Sequence, residues 1–164
     1  MRKLYQQIYS TNKHHGHSNH GNRYLKEILA NKPETVLDLG CGHNELVKSL
    51  RAKGIKAIGI DFACKSADVV ADIMHLPVRD KTFSLVTAFD VLEHLQPEQV
   101  RQVLEEIRRV GRRYMFTISY RDSTIDKRLH PTVWTPEQWG SVILEHSIAI
   151  HSYCDKNFWH GCWL

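Results

Sequence analysis

The chain alternates short apolar runs with stretches of helical periodicity over most of its length. The runs typical of buried strands lie at residues 35–39, 56–61, 84–89 and 113–119. Ahead of the last of these, residues 97–110 predict a long helix whose first turn accepts Pro97, because the apolar positions recur at the i, i+3, i+4, i+7 spacing of one helix face. Strands that alternate with helices in this way predict an α/β fold around a parallel sheet.

Two places depart from a regular alternation. Only residues 62–67 separate the second strand from an apolar run at 68–72, whereas a parallel pair normally requires a crossover of about a dozen residues or more. Either the crossover helix has shrunk to a turn, which we favour, or the third strand is short and lies at the sheet edge. After a capping box at 135–138, the tail from 148 to 164 predicts two short strands. We therefore predict a three-layer Rossmann-like sandwich with a mostly parallel sheet of about seven strands and an antiparallel C-terminal strand.

Composition and charge narrow the class of protein without identifying it. Of the 164 residues, 42% are hydrophobic and 24% are charged, which is typical of a folded globular domain. The formal net charge of +4 is mild, and Lys and Arg are spread along the chain, so a nucleic-acid partner is not indicated. The N-terminus lacks the apolar segment of a signal peptide, and no apolar run approaches the length of a membrane span. We expect a cytoplasmic protein with no membrane partner and with its four cysteines reduced.

The first predicted strand leads into a glycine-rich turn, Gly40-Cys41-Gly42, that precedes a helix. Glycines in such a turn adopt positive φ and let the backbone approach a ligand closely, and Asn44 is of a residue type that tolerates this conformation. Asp61 stands at the end of the second strand, where its carboxylate can accept hydrogen bonds from ribose hydroxyls. Together these features predict a nucleoside-binding site at the carboxyl ends of the strands.

Two kinds of nucleoside cofactor compete for this site. A dinucleotide fingerprint requires a third glycine at position 45, where this chain has Glu45. A pyrophosphate would also lie beside acidic groups. The acidic residues at or near the ends of the predicted strands are Asp38, Asp61, Asp72 and Asp90. S-adenosylmethionine carries a sulfonium and an ammonium instead of phosphates, so an acid-lined cleft favours this cofactor over a dinucleotide.

Four motifs follow one another along residues 35–119. They are Val36-Leu37-Asp38-Leu39-Gly40-Cys41-Gly42, then Ile58-Gly59-Ile60-Asp61, then Ala71-Asp72 with Leu76-Pro77 and Phe83, and finally Phe89-Asp90-Val91-Leu92-Glu93-His94-Leu95. In this order they resemble the class I S-adenosylmethionine-dependent methyltransferases, most closely the compact methyltransferase-domain type. The resemblance implies S-adenosylmethionine as the methyl donor and S-adenosylhomocysteine as the product.

The same resemblance implies a role for most of the motif residues. Asp38 and the Gly40-Cys41-Gly42 turn would hold the methionine part of the cofactor, and Asp61 would bind the ribose. The other residues implied are Phe62, Asp72 and Ile73 around the adenine, and Phe89 and Asp90 beneath the sulfonium.

The acceptor side is predicted from the segment after the fifth strand. A hydroxyl acceptor gains from a general base with a pKa near neutrality, and His130 lies in the loop expected to overhang the pocket. The alternative for His130 is a structural hydrogen bond to a backbone carbonyl that holds this loop. Tyr120 and Trp134 flank it as candidate substrate contacts, and His94 is expected either to line the cofactor pocket or to cap the following loop.

No metal site is predicted. The N-terminal histidines, in His14-His15-Gly16-His17 and at His20, match no usual zinc spacing. A set of acidic and amide ligands for magnesium cannot be assembled near the acceptor from the sequence. We interpret residues 1–23 as a flexible polar lead-in, part of which folds over the cofactor.

These inferences predict a single methyltransferase domain over residues 1–164, with the lead-in at 1–23, the cofactor-binding core at 35–119, and the acceptor-site loop, helix and terminal strands at 120–164. The predicted reaction is methyl transfer to oxygen, in preference to nitrogen, of a small molecule or of a glycan or metabolite group. A non-catalytic S-adenosylmethionine-binding scaffold or activator subunit is the first alternative. A nucleic-acid methyltransferase is the second, although the Asn/Asp-Pro-Pro-aromatic motif of base methyltransferases is absent.

Overall fold

The computed structural model describes residues 2–11, 20–146, 151–154 and 158–163, with the backbone alone described for residues 20, 151–154 and 158–163. Its helices are α1 (Arg2–Thr11), α2 (His20–Arg23), α3 (Leu25–Ala30), α4 (Glu45–Arg51), α5 (Pro97–Val110) and α6 (Pro136–His146). Its strands are β1 (Thr35–Leu39), β2 (Lys56–Asp61), β3 (Val69–Val70), β4 (Leu85–Phe89), β5 (Tyr114–Ser119), β6 (His151–Cys154) and β7 (Phe158–Trp163). Two short 3-10 turns, Leu92–His94 and Lys127–Leu129, follow β4 and β5 respectively.

The strands form one sheet in the order β3-β2-β1-β4-β5-β7-β6. The first five pair in parallel, with β1 between β2 and β4 at the centre. The sheet continues through β7, which pairs antiparallel with β5 from Tyr114↔Trp163 to Ser119↔Phe158, and then β6, antiparallel to β7. The predicted α/β Rossmann-like fold with a parallel sheet is confirmed.

Helices cover both faces of the sheet, which explains why the central strands are mostly apolar. On one face, Val100 and Ile107 of α5 and Trp139 of α6 pack against the sheet in one cluster. On the other face, Ile28 of α3 and Val47 of α4 belong to a second cluster. All residues of β4 and β5 are buried, as a strand between two helical layers requires. In the part of the chain that the structure describes, no helix is both long and apolar enough to cross a bilayer.

The connection between β2 and β3 shows how a segment of only six residues joins two parallel strands. Residues 62–67, all described, form bends and turns without a helix, and Ala67 N–H donates to the Cys64 carbonyl at 3.3 Å. Strand β3 is only two residues long, with both side chains exposed, and it lies at the sheet edge. Both explanations therefore apply, because a two-residue edge strand needs no helix to cover it.

The N-terminal segment, predicted as a flexible polar lead-in, contains a helix that the sequence analysis did not predict. Arg2–Thr11 is a helix, and its Tyr5 and Ile8 are buried against Ala63 and Leu129. The signal was present as apolar residues at i, i+1, i+4 and i+5, which define one helix face. Residues 12–19, with most of the histidine-rich segment, lie outside the described residues.

Candidate functional site

A cleft of about 1040 Å³ opens where the parallel strands end, with α1 along one side. Of the residues predicted for the site, those that line the cleft are Gly40, Asp61, Phe62, Asp72, Ile73, Phe89, Asp90, His94 and His130. Those outside its lining are Asp38, Cys41, Gly42, Tyr120 and Trp134. Most predicted residues come together because a parallel sheet collects the carboxyl ends of its strands at one edge.

The Asp61 carboxylate is buried and accepts hydrogen bonds from three parts of the chain. Its Oδ1 accepts the backbone N–H groups of Ala63 and Cys64, both at 2.8 Å. Its Oδ2 accepts the Gly42 N–H at 3.2 Å and the Tyr9 hydroxyl at 3.0 Å. Sequence reasoning missed Tyr9, since nothing in the sequence pairs α1 with the end of β2.

The glycine turn has the backbone that the sequence predicts. Gly40 and Gly42 adopt φ of 64° and 52°, and Asn44 adopts 65°. A Cβ on Gly40 would lie 2.5 Å from Cγ2 of Val91, so this position has no room for a side chain. The turn therefore presents bare backbone to the cleft at Gly40.

Beneath the turn, Gly59 of β2 is required for a reason that the sequence does not reveal. A Cβ there would overlap the Asn44 side chain and lie 2.7 Å from Sγ of Cys41. The turn can rest on β2 only because this strand residue has no side chain.

Asp38 lies below the turn and outside the cleft surface. Its carboxylate is buried, and the Thr87 hydroxyl donates to Oδ1 at 2.7 Å. Burial raises the pKa of Asp38 to about 7; the Thr87 bond opposes this, and the charge of Asp61 adds to it. A contact between Asp38 and the methionine part of a cofactor stays a prediction.

The residues predicted around the adenine occupy one flank of the cleft. Ile73 is buried, and the ring of Phe62 contacts Tyr5 edge-to-face with centroids 4.8 Å apart. Asp72 is exposed, and its Oδ1 accepts the Met74 N–H at 2.9 Å, which holds the turn after β3. This flank offers an apolar surface with a carboxylate at its rim.

Phe89 and Asp90 form the floor of the cleft at the end of β4. The Phe89 ring stacks on Tyr24 with centroids 4.9 Å apart. Asp90 adopts φ of 56°, a left-handed conformation that is uncommon for a residue other than glycine. Thr117 of β5 holds it there, since its hydroxyl donates to Asp90 Oδ1 at 2.9 Å and its carbonyl accepts the Asp90 N–H at 2.9 Å.

A cluster of one carboxylate and two imidazoles, Glu93, His94 and His130, lines the same cleft. The two imidazole rings meet edge-to-face with centroids 4.7 Å apart. Glu93 is fully buried, and burial, then the negative charge of Asp90, raises its pKa well above the usual value. Glu93 belongs to the fourth sequence motif, where the sequence gives no indication of its role.

The two predicted aromatic contacts to substrate lie away from the cleft lining. Trp134 packs on Trp139 with ring centroids 4.8 Å apart, and it lies against the core cluster. Trp139 is fully buried. Tyr120 also packs against this core. A substrate contact by Tyr120 or Trp134 stays a prediction.

Comparison with known proteins adds a family match. A family model described as a methyltransferase domain matches residues 12–149. An uncharacterized protein of Methanocaldococcus jannaschii is 35% identical over 94 residues, which are 52% of this chain and 40% of that protein. This chain therefore matches less than half the length of that relative.

Solved structures with the same fold include two N-methyltransferases. NodS of Bradyrhizobium japonicum, crystallised with S-adenosylhomocysteine, superposes with a TM-score of 0.73 at 15% identity, covering 98% of this chain and 96% of that one. The 1,6-didemethyltoxoflavin-N1-methyltransferase of Burkholderia thailandensis, with 1,6-didemethyltoxoflavin and S-adenosylhomocysteine bound, gives a TM-score of 0.72 at 15% identity, covering 98% and 85%. The family match spans most of the chain, and these structures share its fold. The chain thus belongs to the methyltransferase-domain family, within the class I S-adenosylmethionine-dependent methyltransferases.

Proposed function

We propose that this chain, working as a single domain, transfers the methyl group of S-adenosylmethionine to an oxygen atom of a small molecule or of a glycan or metabolite group. One observation carries the proposal. One cleft is lined both by the Gly40 turn with its nearby carboxylates, which we take as the donor end, and by the cluster of Glu93, His94 and His130, which we take as the acceptor end. A donor and an acceptor held in one cleft gain the advantage of proximity and alignment.

The donor end fits S-adenosylmethionine in shape and charge. Gly40 exposes backbone where a Cβ has no room, and the apolar flank at Ile73 suits a flat adenine ring. Asp61, Asp72 and Asp90 line the same cleft, and carboxylates favour a ligand with a sulfonium and an ammonium over a phosphate. When bound, this cofactor supplies an electrophilic methyl group.

Asp61 is the proposed ribose ligand. Within the described chain, each of its oxygens accepts two hydrogen bonds, and Tyr9 supplies the one side chain among these four donors. A ribose hydroxyl would take the place of the Tyr9 hydroxyl, while the three backbone donors keep the carboxylate oriented. We therefore propose that α1 shifts locally as the cofactor binds.

At the acceptor end, His130 is the proposed general base. Its Nδ1 lies 2.6 Å from the Arg121 carbonyl oxygen, which can only accept, so Nδ1 carries the proton. Nε2 is then the basic nitrogen of the ring and can take the proton of an acceptor hydroxyl. The same hydrogen bond also holds the loop, which is the structural alternative given for His130. One imidazole can both hold the loop and act as a base.

The choice of oxygen over nitrogen rests on the chemistry of this end. A neutral amine attacks a methyl donor without first losing a proton, whereas a hydroxyl gains from a base. NodS and the 1,6-didemethyltoxoflavin-N1-methyltransferase are N-methyltransferases, but at 15% identity they share only the fold with this chain. They therefore do not indicate which atom this chain methylates.

Calorimetry with S-adenosylmethionine and S-adenosylhomocysteine tests the cofactor and its site together. We expect micromolar binding to the wild type and a loss of more than tenfold in affinity for Asp61→Asn, which keeps the size of the side chain. Asp80→Asn serves as the control, because Asp80 is exposed and pairs with Arg109 outside the cleft. Absence of binding to either ligand by the folded wild type would overturn the proposal.

Turnover separates an enzyme from a cofactor-binding scaffold. A methyltransferase forms S-adenosylhomocysteine in an acceptor-dependent reaction, and a panel of hydroxyl and amine acceptors distinguishes O- from N-methylation. Binding of the cofactor with no turnover on any acceptor would favour the scaffold.

A further inference from the structure

The cluster of Glu93, His94 and His130 consists of side chains that commonly ligate metal ions. One potential ligand atom from each side chain lies within 4.8 Å of the other two. Metal–nitrogen and metal–oxygen bonds are about 2.1 Å long, so two ligands of one ion lie at most ~4.2 Å apart. The three atoms need to approach by about half an ångström to share an ion, which small side-chain rotations provide.

One carboxylate oxygen of Glu93 is buried and lacks a hydrogen-bond partner among the described residues. Glu93 Oε1 accepts the backbone N–H of Ser119 at 2.9 Å, whereas Oε2 finds no hydrogen-bond partner in the described part of the chain. The side chain as a whole is 0% exposed and lines the cleft. A buried carboxylate oxygen without a partner is strongly unfavourable, and a cation in the cleft would satisfy it.

Each side chain of the cluster is also oriented by a hydrogen bond on its far side. His94 Nδ1 lies 2.6 Å from both the Leu129 carbonyl oxygen and the Tyr5 hydroxyl oxygen, and His130 Nδ1 lies 2.6 Å from the Arg121 carbonyl oxygen. Both carbonyls only accept, so both rings carry their proton on Nδ1 and have Nε2 as the basic nitrogen. Metal-binding histidines are typically oriented by such bonds to carbonyl or carboxylate groups.

The backbone holds the two halves of the cluster together. Glu93 and His94 lie in the 3-10 turn after β4, and His130 directly follows the 3-10 turn after β5. Thr132 links these segments, because its N–H donates to the Glu93 carbonyl at 3.4 Å and its hydroxyl donates to the Leu95 carbonyl at 2.7 Å. The ligands are therefore arranged before any ion arrives.

We propose that Glu93, His94 and His130 bind a divalent first-row transition metal ion at the acceptor end of the cleft. Two imidazoles and one carboxylate suit such ions and leave coordination positions open. Asp90 lines the same cleft and adds negative charge. The open positions face the cleft, where oxygen atoms of an acceptor can occupy them.

The consequence for the acceptor rests on the proposed methyl transfer. An acceptor hydroxyl bound to the ion loses its proton to water more readily, because the ion lowers the pKa of the hydroxyl. The oxygen then forms its bond to the methyl carbon as the carbon–sulfur bond breaks and the electron pair stays on sulfur. This favours acceptors with two adjacent oxygens, such as vicinal diols or catechols. Metal binding by His130 also excludes its role as a general base, since the Nε2 lone pair cannot bind both a proton and the ion.

The site is tested by titrating Mn²⁺ into chelator-treated protein without cofactor, followed by calorimetry and electron paramagnetic resonance. We expect one Mn²⁺ per chain, with affinity at least tenfold weaker in Glu93→Gln and in His130→Ala. His75→Ala is the matched control, because His75 is exposed, lies outside the cleft lining and should leave Mn²⁺ binding unchanged. Circular dichroism and thermal unfolding establish that each variant folds.

The N-terminal histidines require a control of their own. A variant with His14, His15 and His17 changed to Asn should retain the Mn²⁺ site. Binding that survives Glu93→Gln but disappears in this variant would overturn the proposal, as would absence of Mn²⁺ binding to the wild type.

Failure of this proposal is distinguishable from failure of methyl transfer. S-adenosylhomocysteine binding without Mn²⁺ binding refutes the metal site and leaves the proposed function standing. Once an acceptor is known, a chelator-induced loss of activity that Mn²⁺ restores supports the metal role of His130. Activity that is insensitive to chelator overturns that role in favour of the general base.

Discussion

Three buried carboxylates, those of Asp38, Asp61 and Glu93, differ in their hydrogen-bond partners. Asp61 accepts four hydrogen bonds, from Gly42, Ala63, Cys64 and Tyr9. Asp38 accepts a bond from the Thr87 hydroxyl, and Glu93 accepts the Ser119 N–H while its second oxygen has no partner among the residues that the structure describes. A buried carboxyl with few donors resists ionisation, and the pKa values of Asp38 and Glu93 are raised accordingly.

The raised pKa of Asp38 predicts a pH-dependent contribution to stability. The folded-state pKa of about 7 lies above the ordinary value of 3.8, so the folded chain binds this proton more tightly than the unfolded chain does. The contribution is therefore present below about pH 4 and is lost as the pH rises to 7, by up to roughly 4 kcal/mol. Asp38→Asn keeps an acceptor for Thr87 and removes the titration.

Urea unfolding of wild type and Asp38→Asn between pH 4.5 and 7.5 measures this contribution. The wild type should lose stability relative to the variant as the pH rises, while other titrating groups affect both alike. A difference between the two proteins that is constant across this range would contradict the shift.

A methyl group added at Gly59 should disturb the glycine turn from below. In Gly59→Ala the new Cβ would overlap Asn44 and crowd Cys41, which we expect to cost about 1–3 kcal/mol of unfolding free energy and to weaken S-adenosylhomocysteine binding. Thermal unfolding and calorimetry measure the two effects. Gly54→Ala is the control: it has open space around its Cβ and φ of 81°, so it should cost stability through backbone strain without changing cofactor affinity.

At the scale of elements, α1 and the two 3-10 turns complete the cleft that the sheet begins. Helix α1 supplies Tyr5 and Tyr9, whose hydroxyls lie 2.6 Å from His94 Nδ1 and 3.0 Å from Asp61 Oδ2. Within the described chain, α1 thus contacts both the donor end and the acceptor end. It covers the site through a small contact area, because its buried side chains are Tyr5 and Ile8.

Loss of the Ile8 contact should release α1 without unfolding the rest of the molecule. Ile8→Ala keeps helix propensity but removes packing against Tyr5 and Leu129, so the amides of residues 2–11 should exchange at least tenfold faster. Hydrogen exchange read by mass spectrometry measures this. Gln6→Ala, on the exposed side of the same helix, should leave the exchange rates unchanged. Equal exchange in both variants would show that Ile8 does not hold α1.

At the scale of the whole molecule, the ligand site exists only when the sheet is folded. The turn after β1, Asp61 at the end of β2 and Asp90 after β4 meet only when the strands pair in parallel. A ligand that binds this edge therefore stabilises the whole folded state, and an unfolded chain offers it no site.

S-adenosylhomocysteine should accordingly raise the unfolding temperature. At a hundred times its dissociation constant, a ligand specific for the folded state adds about 2.7 kcal/mol, which corresponds to roughly 5–10 °C for a chain of this size. Differential scanning fluorimetry measures the shift. A nicotinamide dinucleotide, the cofactor that the sequence disfavours, should produce no shift at the same concentration.

The sequence by itself determined the alternation of strands and helices from β1 to α6, the glycine turn with Asn44 in a left-handed conformation, and the capping box of α6, in which Thr135 N–H donates to Gln138 Oε1 at 2.9 Å. Each depends on residues close together in the chain, where periodicity and backbone preferences act directly. The tertiary structure alone decided that Gly59 supports the turn, that Tyr9 contacts Asp61, and that Glu93 meets His130. Those contacts join residues that are distant in the chain, and their geometry follows from sheet pairing and loop packing, which leave no local pattern in the sequence.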